Sequence, residues 1–210
     1  MTKKIIKYIL SAALLVFLCY NAVYFKKLDE VKKASTVSKF DAIKYARKYY
    51  NAVIPIAGKS IEYNKLLSLL TSNPEKTFAD HSHALGIGNI KYFLVQGKGT
   101  IKSVNESSIT VLIKTDSAEA LVNIATEFVF GNAIRDASGI IKLNEFSSTS
   151  DLNNVSAEIN KIIRDEVLPP FTAKAKPGDA ITFSGAIELN KKNLNTEGIE
   201  VVPVAINVIQ

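Results

Sequence analysis

Arg135 and Asp136 are adjacent in a polar turn that follows an apolar stretch, residues 120–130. The arginine guanidinium presents a planar fork of donors that suits a carboxylate, a phosphate or a sugar hydroxyl. The same two side chains could instead hold the turn against the domain through an ion pair and hydrogen bonds to the backbone. Asn160, on a later helix, is placed to hydrogen-bond the backbone of this turn if that helix packs over it. Asn132 lies in the turn itself. We therefore predict that Arg135, Asp136, Asn132 and Asn160 form a structural clasp or a ligand site, with the clasp favoured.

The sequence lacks the motifs of common catalytic classes. It has no Gly-x-Ser-x-Gly elbow, no phosphate-binding loop and no helical motif with two histidines. Its glutamates are scattered, and none is spaced from another in a way typical of acid–base pairs. We predict that the protein is not an enzyme and that it needs no cofactor.

The two histidines of the chain, His81 and His83, lie two residues apart. Two such ligands on an extended segment can contact one metal ion, but a stable site needs a third or fourth ligand. Asp80 is the one nearby candidate, and no cysteine is close in sequence. We therefore predict no metal site.

The basic residues are concentrated near the N-terminus. The formal net charge is +6, of which residues 1–33 carry +5 and residues 34–210 carry +1. A nearly neutral domain lacks the positive surface that phosphate-backbone binding requires. The segment 100–114 also lacks the aromatic platforms with which OB folds bind single strands. These observations exclude nucleic acid from the predicted partners.

Residues 8–25 carry no charge and follow three lysines. A run of about this length can span a hydrocarbon layer of roughly 30 Å as a helix, and the lysines favour a cytoplasmic N-terminus. We predict an uncleaved signal anchor in the bacterial inner membrane, with the C-terminal domain in the periplasm. Two alternatives stay open: lipidation of Cys19, although Leu18 precedes it where a small residue is preferred, and ordinary signal cleavage.

The chain after the anchor changes from helical to strand periodicity near residue 91. Apolar residues at three- and four-residue spacing predict an amphipathic helix up to residue 56, and these are Phe40, Ile43, Ala46, Tyr50 and Val53. Asn73 followed by Pro74 predicts the start of a short later helix. We divide the chain into an anchor (1–27), a juxtamembrane helical segment that packs on the following domain (28–90) and a strand-rich domain (91–210).

Strands are predicted on both sides of one helix in the C-terminal domain. The first three cover residues 92–104, 108–114 and 120–130, with Ile109, Val111 and Ile113 on one apolar face and Leu121, Ile124 and Phe128 as apolar positions of the third. A short strand at 140–146, a helix to about Val167 that ends before Pro169 and Pro170, and strands at 180–189 and 199–209 follow. This order predicts an α+β fold with an OB-like five- to six-stranded antiparallel β-barrel and one helix between strands 3 and 4. A split antiparallel sheet with helices on one face is the alternative.

Four segments carry a resemblance to a known bacterial family. They are Phe93-Leu-Val-Gln-Gly-Lys-Gly99, Gly131-Asn-Ala-Ile-Arg-Asp136, Ala157-Glu-Ile-Asn160 and Gly178-Asp-Ala-Ile-Thr-Phe-Ser-Gly185. From about Tyr45 to its end the chain resembles the domain-of-unknown-function family of predicted periplasmic lipoproteins, often encoded beside sugar ABC transporters. Asn132 stands where the family pattern has threonine, and Thr126-Glu127 where it has Gly-Pro.

The resemblance implies an envelope location and a link to sugar uptake, with no known catalytic residues. Together with the residue analysis it predicts a membrane-anchored, non-catalytic periplasmic domain that binds a partner protein or a small polar ligand. The alternative is a structural protein of envelope assembly without a small-molecule ligand. The oligomeric state and the identity of the partner are not encoded in any motif of the sequence.

Overall fold

The computed structural model describes residues 2–22, 40–115 and 118–209. The chain divides into two compact units, residues 1–40 and residues 41–210. The domain boundaries predicted at residues 27 and 90 stay predictions. Within the second unit, however, the helices that precede residue 90 share one hydrophobic core with the strands that follow it.

The first unit contains helix α1 (Thr2–Ala22), whose apolar side chains are exposed over residues 5–18 and at Tyr20. Among the described residues, none of the helices combines the length and the apolarity needed to cross a bilayer. The signal anchor predicted at residues 8–25 is therefore not supported. Residues 23–25 of the prediction lie outside the described residues.

The second unit begins with helices and two short strands. These elements are α2 (Ala42–Ala57), β1 (Ile61–Glu62), α3 (Tyr63–Ser72), α4 (Pro74–His81) and β2 (Ser82–His83). Asp41 caps α2 by accepting from Lys44 N, and the predicted cap Asn73 accepts from Lys76 N of α4. The amphipathic face of α2 differs from the prediction at Ile43, which is 68% exposed. Tyr49 is buried instead, because the buried stripe passes through Ala46, Tyr49 and Val53 at helical spacing.

The strand-rich part contains β3 (Ile90–Val104), β4 (Ser108–Thr115), β5 (Ala118–Ala125), β6 (Ala180–Asn190) and β7 (Glu200–Val208). Between β5 and β6 lie α5 (Ala133–Ala137), α6 (Thr149–Ile162), a π-helical turn (Ile163–Val167) and α7 (Leu168–Thr172). The predicted mixed α+β class is confirmed. The predicted helix continues past Val167 as far as Thr172, because Pro169 and Pro170 occupy the first turn of α7, where a missing N–H breaks no helical bond.

The five long strands pair in a closed ring. β3 pairs with β4, β4 with β5, β5 with β7, β7 with β6, and β6 with β3 again. The β5–β7 contact is parallel and short, and the other pairings are antiparallel. The strand order is the one expected for the predicted OB-like domain, with helices between its third and fourth long strands. β1 and β2 both add to β3.

Two strand predictions are wrong in detail. Residues 140–146 form no strand but include a single 3-10 turn, Leu143–Glu145, so the predicted extra strand is absent from this segment. The third strand ends at Ala125, and Leu121 and Phe128 are 60% and 62% exposed. Side chains alternate along a strand, so a core position at Ile124 places Val122 inside and Leu121 outside. The predicted inner face of β4, which is Ile109, Val111 and Ile113, is confirmed.

Gly185 lies at a β-bulge in the antiparallel pairing of β6 with β7. A Cβ atom at this position would lie 2.4 Å from the carbonyl oxygen of Val202 and 3.0 Å from Pro203 Cα. Both are backbone atoms, so they can give way only if the strands move apart. The close approach of two ring strands thus requires a residue without a side chain.

We predict that Gly185→Ala lowers the free energy of unfolding by about 1–3 kcal/mol, because the added methyl group overpacks this contact. Urea unfolding of the full chain, followed by circular dichroism, measures the change. Gly86→Ala is the matched control, since a Cβ there has no atom within 4 Å. Equal midpoints for the two variants would contradict the assigned close approach.

Candidate functional site

Helix α5 is a single short turn that contains Arg135 and Asp136. It packs against β3, β6 and α6, and every residue from Ala133 to Ala137 is buried. The predicted turn is therefore inside the protein and does not form a surface loop. Its polar side chains must find their partners within the protein.

Arg135 and Asp136 form a buried ion pair. Arg135 Nε donates to Asp136 Oδ1 at 2.6 Å, and the two side chains are only 5% and 4% exposed. Arg135 Nη1 also donates to Ser156 Oγ at 2.9 Å, while Asp136 Oδ2 accepts from the amide of Leu85 at 3.4 Å. A buried charge is tolerated when its partner and further hydrogen bonds replace the lost water, which is the arrangement found here.

Helix α6 holds the two ends of the same turn. Ser156 Oγ donates to Asn132 Oδ1 at 3.1 Å, so the serine accepts from Arg135 and donates to Asn132. One helical turn later, Asn160 Nδ2 donates to the carbonyl oxygen of Gly131 at 2.9 Å. The structure thus brings Asn132, Arg135, Asp136 and Asn160 together in one hydrogen-bonded cluster, which we call the clasp.

Two residues that hydrogen-bond to the clasp, Tyr49 and Ser156, were not identified from the sequence. The hydroxyl of Tyr49 on α2 lies 2.6 Å from the carbonyl oxygen of Ile134 and 2.8 Å from Ser138 Oγ. Burial raises the pKa of Tyr49 well above its usual range, so its hydroxyl stays a donor. Ser156 is the other, and its signal was its four-residue spacing from Asn160 on the buried face of α6.

The geometry of the clasp favours a supporting role. The guanidinium of Arg135 is nearly enclosed and donates to Asp136 Oδ1, to Ser156 Oγ and to the carbonyl oxygen of Leu152. A ligand that took the arginine fork would have to separate it from Asp136. The clasp therefore holds α5 between the strand ring and α6.

A groove of about 1050 Å³ lies beside the clasp. Its walls come from the end of α2, β1, α3, α4, β2 and the end of α5. The apolar lining is Pro55, Ile56, Ile61, Leu69, Leu94 and Ala137, and the polar lining is Lys59, Ser60, Glu62, Lys65, Lys76, Asp80, His81, His83 and Ser138. Ser138 belongs both to this lining and to the contacts of Tyr49, so the clasp supports one wall of the groove.

The charged groups of the groove are unequally paired. Lys76 Nζ lies 2.6 Å from Asp80 Oδ2, and this hydrogen bond lowers the pKa of Asp80 below its usual value. Lys59, Lys65 and Glu62 take part in none of the ion pairs found within residues 2–22, 40–115 and 118–209. The groove therefore presents two unpaired ammonium groups and one unpaired carboxylate.

His81 and His83 both line this groove, but the described residues contain no cluster of three or more potential metal ligands. His83 packs on Gly139, which has a φ of +67°. A Cβ atom at Gly139 would lie 2.6 Å from Nδ1 of His83. This histidine thus joins β2 to the segment that follows the clasp.

Comparison with protein families gives one match. The family model described as predicted periplasmic lipoprotein (DUF2291) matches residues 13–207. This range includes Cys19, the candidate lipidation site, whose side chain lies outside the described residues. No curated protein matches the chain.

Comparison with solved structures gives several matches. A crystal structure of an OB-fold protein from Thermotoga maritima superposes with a TM-score of 0.72 at 24% identity, covering 82% of this chain and all of the other. The Stn1–Ten1 complex of S. pombe has a TM-score of 0.28 at 11% identity, covering 61% of this chain and 71% of that one. An OBody bound to hen egg-white lysozyme has a TM-score of 0.27 at 11% identity, with 60% and 86% coverage. The first match supports the OB-fold assignment, and the other two scores are too low for inference.

We predict that Arg135→Ala lowers the free energy of unfolding by about 3–5 kcal/mol, because it leaves the Asp136 carboxylate buried without its partner. Urea unfolding of the full chain measures this loss. Lys161→Ala is the control, since Lys161 forms an exposed ion pair with Asp165 and its removal should not shift the midpoint measurably. A wild-type midpoint for Arg135→Ala would refute the clasp.

Proposed function

We propose that this protein is a non-catalytic binding domain of the cell envelope. The premise is that the chain belongs to the family of predicted periplasmic lipoproteins (DUF2291). The family description supports an extracytoplasmic location for the domain. The observation that carries the proposal is the groove beside the clasp, into which polar groups from several separate elements converge. We infer that this groove binds a small polar ligand.

The size and lining of the groove support this proposal. Small-molecule sites are usually concave, reach about 300–1,000 Å³, and combine an apolar surface with a few fixed polar groups. The groove is at the upper end of this range, with Leu94 and Leu69 on its surface and Ser60, Lys65 and Ser138 among its polar groups. Its wall at Ser138 is fixed by Tyr49 and the clasp, so this part of the site is preorganised.

A protein partner is the second candidate. Phe128 and Phe130, two residues apart, are each about 60% exposed, as is Leu121, and exposed apolar side chains that lie near one another favour a contact with another protein. This surface suits the alternative of an envelope-assembly protein without a small-molecule ligand. The link to sugar uptake implied by the family resemblance stays a prediction.

A bulky side chain that fills the groove tests whether the groove binds a ligand. Ile56 lines the groove and is 39% exposed, whereas Ile54 on the same helix is 38% exposed and is not part of the lining. We predict that the full chain purified from its own cells releases a small molecule on denaturation, detected by mass spectrometry. Ile56→Trp should lose this molecule because the indole occupies its space, while Ile54→Trp should retain it.

Two outcomes would oppose the groove as the site. One is equal retention of the molecule by Ile56→Trp and Ile54→Trp. The other is the absence of any specifically retained molecule together with crosslinking of the exposed Phe128 and Phe130 surface to an envelope protein. The second outcome would favour the assembly role.

The mode of envelope attachment gives a separate prediction. We propose that Cys19 carries the lipid that the family description implies. Metabolic labelling with radioactive palmitate should then label the wild-type chain, and Cys19→Ser should lose the label because the acceptor thiol is gone. Ser11→Ala, in the same helix, is the control and should be labelled normally. An unlabelled wild-type chain would exclude lipidation.

A further inference from the structure

We infer that the groove is selective for an amphipathic anion, a ligand that carries a carboxylate or phosphate group beside an apolar body. This inference rests on the proposed function and specifies the chemical class of its ligand. Three independent features of the groove support it: its unpaired charges, the start of helix α3, and its apolar surface.

The unpaired charges give the groove a positive balance. Lys59 and Lys65 have no carboxylate partner among the described residues, and Glu62 is the one unpaired acid in the lining. Lys76 and Asp80 neutralise each other. A ligand that is anionic at one end would therefore gain more from the two ammonium groups than it loses to Glu62.

Helix α3 begins in the same wall as these lysines. Its N-cap residue Glu62 makes no side-chain cap hydrogen bond, and its first turn contains no acidic residue. The first amides of a helix point outward with a partial positive charge and favour an anion. Asn64 in the same turn does not line the groove, so the contribution of this turn to anion binding rests on its backbone amides.

Part of the groove lining is apolar. Ile61, Leu69 and Leu94 line the groove, and Leu94 is 7% exposed. A fully hydrated anion, such as inorganic phosphate, would leave this surface uncovered. An apolar body attached to the anionic group would cover it and gain the free energy of burying apolar area.

Three probes of similar shape and different charge test the inference: benzoate, benzamide and benzylamine. The full chain is held in phosphatidylcholine nanodiscs, which accommodate the exposed apolar side chains of α1. Amide shifts of Ser60 and Glu62, which line the groove, then report binding in ¹H–¹⁵N spectra. We expect benzoate to bind more tightly than benzamide, and benzylamine to bind most weakly.

The lysines are tested by the double variant Lys59→Gln, Lys65→Gln. It should weaken benzoate binding about fivefold or more, as expected for the loss of two solvent-exposed charge contacts, and leave benzamide binding unchanged. The matched control, Lys174→Gln with Lys192→Gln, removes two lysines that do not line the groove and should bind benzoate like the wild type.

The outcomes separate this inference from the proposed function. Equal affinity for benzoate and benzamide, with no effect of the lysine variant, would show a groove that binds without regard to charge, and the anion selectivity would be refuted. Failure of all three probes would also refute it. In both cases the Ile56→Trp experiment still decides by itself whether the groove holds a ligand.

Discussion

The buried ion pair between Arg135 and Asp136 is the interaction on which the rest of this domain depends. Two charges that are at least 95% buried cost several kcal/mol each to remove from water, so they persist only where every partner is in place. Those partners come from the segment after β2 and from α6. Tyr49 of α2 hydrogen-bonds to the backbone of the same turn. The clasp therefore links parts of the chain that the apolar core alone would not hold in a unique arrangement, and it supports one wall of the groove.

The sequence predicted the elements better than their contacts. The inner face of β4 follows from local periodicity and the start of a helix at Asn73 from its capping signal, and both were confirmed. The errors occurred where local pattern has several solutions: Leu121 and Ile124 are both apolar, and only the register of β5 decides which one is inside. The segment 140–146 has strand-like composition, but it has no neighbouring strand with which to pair, so it does not form one.

The clasp and the groove differ in how far sequence could find them. An adjacent Arg and Asp in one turn are visible in the chain, and the structure places Asn132 and Asn160 in the same hydrogen-bonded cluster, although burial of the turn was not evident from the sequence. The groove has no comparable signal, because its lining extends from Pro55 to Ser138 and is assembled only when α2, α3 and α5 meet. The unpaired state of Lys59 and Lys65 is likewise a property of three-dimensional distances, which composition does not record.

The ring of strands closes through pairing of β3 with β6, which joins residues 90–100 to residues 180–190. During synthesis or export, β3, β4 and β5 can form a meander long before β6 exists. Its inner side chains, including Ile109 and Val111, then have no opposite wall and face solvent. Non-local pairings of this kind fold slowly and leave apolar surface exposed meanwhile. Because β6 emerges after β3, β4 and β5, the apolar side chains of the unfinished meander stay exposed until it arrives. A chaperone that covered the meander would shorten this exposure.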